Sequence, residues 1–158
     1  MVPSGTLLRI AVFAALASML LALVPATDEA LLPDSDVPME TGARSGPDLI
    51  VDYLSASWTT ADAGESKSIS TRIKNDGDSS SGSFRWALYL STDTTITTSD
   101  YQLDDWSQSS ISAGSTRYST KSVTIPSSMT GGYYYVGMIV DINSQVSESD
   151  ENNNADYD

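Results

Sequence analysis

From Asp48 onward the chain alternates apolar and polar residues at every second position, and it does so without a single cysteine. Period two is the mark of a strand with one buried face. Leu49, Val51 and Tyr53 alternate with Asp48, Ile50 and Asp52; Ile69, Thr71 and Ile73 alternate with Ser68, Ser70, Arg72 and Lys74. Phe84, Trp86, Leu88 and Leu90 form the strongest stripe, with Arg85, Ala87 and Tyr89 opposite. Leu103 and Trp106 mark a weaker edge strand, Tyr118 to Ile125 another that Pro126 stops, and Tyr133 to Val140 the last strong one. No window of useful length has helical period. Short strands separated by Gly, Ser and Asp turns predict an all-β fold, an antiparallel β-sandwich of about six or seven strands. With no disulfide to staple it, packing must hold it together.

Two details narrow the sandwich to the immunoglobulin-like kind. Trp86 lies mid-strand on the third strand, where a large ring packs between the sheets. Tyr134 follows Gly131-Gly132 and precedes inward-facing Val136 by two residues, the spacing of a tyrosine corner. Asn75-Asp76-Gly77-Asp78 supplies turn chemistry between the second and third strands.

Upstream of the alternation the chain changes character. A short head with Arg9 leads into the apolar run Ile10 to Val24, then Val24-Pro25-Ala26 and polar Thr27-Asp28-Glu29. That order predicts a secretory signal peptide over residues 1–26; an uncleaved signal anchor is the competing reading and the one route to a membrane. Residues 27–47 are acidic, carry Pro33, Pro38 and Pro47, and predict a disordered linker. The sandwich then occupies residues 48–158. Export predicts a secreted, extracellular or cell-surface protein.

Charge and missing residue types exclude several functions. Twenty-one acids against 8 bases give a net charge of −13, which repels nucleic acid. With neither His nor Cys, a Ser-His-Asp triad, a thiol nucleophile and a His- or thiolate-bound metal are all impossible. Carboxylate-only glycoside hydrolysis stays chemically open, but no pair of acids forms a detectable constellation for it. The chain is read as a non-enzyme.

Several short blocks, weak singly, recur in an order that resembles a known family. They are Pro47-Asp48-Leu49-Ile50-Val51, Ile73-Lys74-Asn75-Asp76-Gly77, and Leu88-Tyr89-Leu90-Ser91-Thr92-Asp93 followed by Asp100. The closing blocks are Gly132-Tyr133-Tyr134-Tyr135-Val136, Val140-Asp141, and Val146 to Asn153. Over Pro47 to about Asn154 the chain is similar to the CARDB family, the cell adhesion related domain found in bacteria. The resemblance implies an immunoglobulin-type sandwich on a secreted or surface protein, with a role in adhesion or spacing. In such domains a final strand follows the double asparagine. Here Ala155-Asp156-Tyr157-Asp158 is short and acidic for a strand, so the final strand is expected to be missing and one sheet edge open.

Acids and amides concentrate around Asp93 to Asp100 and again after Val140. The loop leaving the third strand and the loop following the sixth are expected at one end of the sandwich. That would bring together Asp93, Asp100, Asp141, Asn143 and Glu148, hard oxygen ligands that suit Ca²⁺. The competing reading is ordinary turn chemistry.

The expected function is a non-catalytic extracellular adhesion or structural binding module. Its partners would be other surface proteins, glycans or copies of itself. One alternative is a fibre or surface-layer subunit joined by strand complementation at the open edge, with Leu31 and Leu32 of a neighbour filling it. Another is a carbohydrate-binding module stacking sugars on Trp58, Trp106, Tyr101 and Tyr133.

Overall fold

The computed structural model describes residues 45–158. The expected signal peptide and all but the end of the expected linker lie outside the described residues, as do Leu31 and Leu32. Among the described residues there is no helix. Seven strands form: β1 (Leu49–Ser55), β2 (Ser66–Asn75), β3 (Phe84–Ser91), β4 (Tyr101–Gln108), β5 (Thr116–Thr124), β6 (Tyr135–Ile139) and β7 (Ala155–Tyr157). They make two antiparallel sheets, β1-β2-β5 and β4-β3-β6-β7. The immunoglobulin-like sandwich is therefore present.

The alternation explains the core. Leu49, Ile69, Ile73, Phe84, Trp86, Leu88, Leu90, Val136 and Met138 are buried between the sheets. Each such side chain contributes on the order of 1.5–3 kcal/mol. Trp86 stacks on Trp106 of the neighbouring strand, ring centroids 4.7 Å apart, and the Lys121 ammonium covers both rings at the flank between β4 and β5. The tyrosine corner forms: the Tyr134 hydroxyl donates to the Thr130 carbonyl at 3.1 Å.

The final strand is present, which corrects the expectation of a missing one. β7 pairs with β6 from Ile139↔Ala155 to Gly137↔Tyr157. Backbone bonds extend the pairing at both ends, Val140 N to Asn154 O and Asp158 N to Val136 O. Beyond the strand, the Asp158 carboxylate accepts from Ala56 N in the other sheet's β1–β2 connection, at 2.6 Å. A three-residue acidic strand is weak by propensity but is held by anchors at both ends. The β6 edge is thus occupied by this chain, and strand complementation there loses its premise.

Asn75 locks the interior ends together. Its side chain is fully buried; Nδ2 donates to Ser79 O and Ile111 O, and Oδ1 accepts from Asp48 N and Gly77 N. All four of its hydrogen-bonding positions are satisfied, as a buried amide requires. Gly77 must be glycine because a Cβ would collide with the backbone of Gly46, Pro47 and Asp48.

Candidate functional site

The five expected cation ligands divide between the two ends of the sandwich. β3 and β6 are antiparallel, so Ser91 at the end of β3 lies opposite Tyr135 at the start of β6. The β6–β7 loop instead returns to the start of β3, where Ile142 N bonds to Arg85 O. Asp93 and Asp100 therefore sit at one end and Asp141, Asn143 and Glu148 at the other. The expectation that they converge is corrected by the strand direction itself. Among the described residues, no group of three or more acidic side chains is arranged to hold a metal ion.

Each carboxylate has local work. Asp93 Oδ1 accepts from Thr95 N at 2.8 Å, and Asp100 Oδ2 from Thr97 N at 2.7 Å. Asp141, in the left-handed region at φ 47°, accepts from Gln145 N and Val146 N at 3.0 and 2.8 Å. Asn143 is exposed. This is the turn chemistry that competed with the metal reading.

Glu148 differs from these because its bonds reach across the domain. One oxygen accepts from Leu49 N and the other from Asn154 Nδ2 at 2.7 Å. Ser149 N bonds to Pro47 O, and Asn153 Nδ2 donates to Asp48 Oδ1 at 2.8 Å. The segment 148–154 is thus a latch that ties the start of β1 to the start of β7. Burial raises the Glu148 carboxyl to about 7; bonds from Leu49 and Asn154 oppose this, while nearby Glu151 and Asp141 add to it. Of the expected ligands, Asp141 lies close enough to Glu148 to disfavour its charge.

The expected sugar-stacking residues also separate. Trp106 is spent on Trp86, and Trp58 packs against the core with its Nε1 donating to Ser68 O. Tyr101 and Tyr133 remain exposed, and Tyr101 joins Asp100, Met129 and Tyr134 around a shallow groove of about 330 Å³.

A second aromatic surface went unnoticed in the sequence. On the outer face of the three-stranded sheet, Tyr53, Arg72 and Tyr118 stand in one row across β1, β2 and β5. The Arg72 guanidinium lies 5.9 Å from the Tyr53 ring and 5.2 Å from the Tyr118 ring, donates to the Tyr118 hydroxyl at 2.8 Å, and pairs with Asp52. Asp52 reaches it because a bulge between Val51 and Tyr53 leaves Asp52 out of register. Next to this row Ser70 meets Thr120, and farther on Ser66 meets Thr124, hydroxyl to hydroxyl at 3.4 and 3.2 Å. Tyr53, Ser70 and Tyr118 help line an open groove of about 300 Å³. In the sequence Tyr118 marks only the start of a strand; the strand register sets it beside Arg72.

A family model for CARDB matches residues 46–157, most of the chain. The chain belongs to the CARDB family. Its fold is similar to the CARDB domain of a Pyrococcus furiosus protein crystallised in complex with di-metal ions. That pair shares 21% identity, with 72% of this chain and 90% of the other covered and a TM-score of 0.53. It is also similar to a domain of a candidate cell surface protein from Methanosarcina acetivorans, at 20% identity, 70% and 87% coverage and a TM-score of 0.51. Comparison with curated proteins gives no match. The CARDB blocks now have a physical meaning: Pro47-Asp48-Leu49 and the stretch from Glu148 to Asn154 are the two halves of one latch.

Proposed function

We propose that this CARDB domain is a non-catalytic binding and structural module of a secreted or cell-surface protein. The observation that carries the reading is the outer face of the β1-β2-β5 sheet. It presents Tyr53 and Tyr118, 47% and 71% exposed, on strands rigidly paired beneath them. Large rings left in water on a stiff scaffold mark an interaction surface. The chain has neither His nor Cys, and Asp93, Asp100 and Asp141 are committed to backbone amides. The test is retention of beads coated with the full chain on isolated cell envelopes. Folded chain is expected to hold them and heat-unfolded chain to release them; equal retention by both defeats the reading.

A second reading is Ca²⁺ binding at the latch, favoured by oxygens that have no partner. Asn153 Oδ1 and Asn154 Oδ1 are buried there without a hydrogen bond, close to the Glu148 carboxylate whose charge burial disfavours. A cation would complete the amide oxygens and relieve the repulsion among Glu148, Asp141 and Glu151. The Pyrococcus furiosus relative was crystallised with di-metal ions. Millimolar Ca²⁺ is expected to raise the melting temperature and a chelator to reverse it. An unchanged melt removes the site.

A further inference from the structure

The outer face of the three-stranded sheet is electrically neutral. Two cations stand outward on it, Arg72 and Lys74, and each has its own acid: Arg72 pairs with Asp52, and Lys74 with Asp76 at 2.6 Å. The other cations of that sheet, Lys67, Arg117 and Lys121, share their side of the pleat with buried Ile69, Ile73 and Val123, and so point toward the second sheet. The outward charge therefore sums to zero on a chain whose net charge is −13. A charged ligand finds no unmatched partner here, and an anion also meets the repulsion of the whole molecule.

What the face presents is rings and hydroxyls. Arg72 stands between Tyr53 and Tyr118 and bonds to the Tyr118 hydroxyl at 2.8 Å, which fixes the rings before any ligand arrives. Tyr118 is 71% exposed with the guanidinium 5.2 Å from its centre, so the cation takes one side of the ring and the other is open to water. The next outward row is Ser55, Ser70 and Thr120, and hydroxyl pairs continue to Ser66 and Thr124. The open groove of about 300 Å³ lies where the ring row meets this hydroxyl row. Ser and Thr hydroxyls donate and accept, as sugar hydroxyls do, and an aromatic face takes the C–H side of a pyranose. Serine is depleted at protein–protein interfaces, and β2 is paired on both sides, so neither a dry protein contact nor an added strand suits this face.

We propose that the outer face of the three-stranded sheet is a platform for an uncharged polysaccharide. Pyranose rings lie against Tyr53 and Tyr118, and their hydroxyls exchange hydrogen bonds with the Ser/Thr rows beside them. The proposal rests on the reading of the domain as a binding module and names its ligand class. Sugar stacking thereby moves from Trp58, Trp106, Tyr101 and Tyr133 to two tyrosines on one stiff face.

The full chain should be run over immobilised cellulose, β-mannan and dextran, all neutral, and over polygalacturonate and chitosan. Retention on at least one neutral polymer is expected, and it should persist in about 1 M salt, where charges are screened beyond roughly 3 Å. Retention on a charged polymer alone, or retention that salt abolishes, overturns the proposal. Tyr118→Ala should weaken binding at least tenfold with an unchanged melting temperature, Tyr118→Phe should keep it, and Tyr133→Ala, an exposed ring off this face, should leave it intact. Tyr53→Ala repeats the test from the other side of Arg72 should Tyr118→Ala fail to fold. Wild-type binding by Tyr118→Ala moves the site elsewhere, and a Tyr118→Phe as weak as Tyr118→Ala shows that the ring face is not the contact; either sinks the platform. A dimer in light scattering that Tyr118→Ala breaks overturns it in favour of a second copy of the chain. If no polymer binds while envelope retention persists, the platform falls and the binding-module reading stands.

Discussion

The two sheets share one core yet treat their outer faces in opposite ways. On the three-stranded sheet the outward side chains of β2 and β5 are Ser, Thr, Arg, Lys and Tyr, all in contact with water. On the four-stranded sheet the outward Ala87 and Tyr89 are fully buried. They pack with Ile96 from the β3–β4 loop, and Ile139, Ile142 and Tyr157 close the patch. Period two told both faces of β3 apart but could not say that both would be dry. The cause is the loop: Ile96 folds back over the sheet, and Gly137 on β6 leaves it room, since a Cβ there would come within 2.5 Å of the Ile96 side chain. A wet face is free to bind; a covered face stabilises.

Substitutions can break or sharpen this contrast. Trp86→Ala, in the core common to both sheets, should cost about 3–5 kcal/mol in denaturant unfolding. Tyr89→Ala should cost about 3 kcal/mol although it faces outward; a loss under about 0.5 kcal/mol would mean that the outer cluster is not a second core. Gly137→Ala should cost about 1–3 kcal/mol by overpacking, and Ile96→Ala in the same chain should recover part of it, a coupling that a double-mutant cycle reads.

Glu148 gives a smaller, pH-dependent effect. Its folded carboxyl stands at about 7, above its ordinary 4.5, so the folded chain holds this proton more tightly than the unfolded one. Its contribution is most favourable below the unfolded value and is lost as pH rises through about 7. Glu148→Gln should flatten that loss, about 1 kcal/mol between about pH 5 and 8 after allowing for its partial exposure. Tyr118→Ala should change stability least, by less than about 0.5 kcal/mol, because its ring is 71% exposed.

Much of the fold was legible because alternation is a local signal. The six strands expected from Leu49 to Val140 all form, Trp86 is in the core, and Tyr134 makes its corner. β7 was not legible: three residues with an Asp in the middle carry little strand propensity, and the strand is held by pairing with β6 and by the bond between Asp158 and Ala56 just beyond it. The carboxylate groups were legible as clusters but not as places. Grouping Asp93 with Glu148 overlooked that antiparallel neighbours send successive loops to opposite ends. Glu148 looked like one turn acid among many, and its bond to Leu49 spans 99 residues.

By itself the sequence determined the class of fold, the inner faces of its strands and the exclusion of His- and Cys-based chemistry. Those follow from residue types and from a two-residue period that any strand must obey. Only the tertiary structure decided that the last strand forms, that segment 148–154 latches the first strand to the last, and that Tyr53, Arg72 and Tyr118 share one row. Each of these depends on pairing between segments distant in the chain, and register between such segments is set by the packing of the whole sandwich.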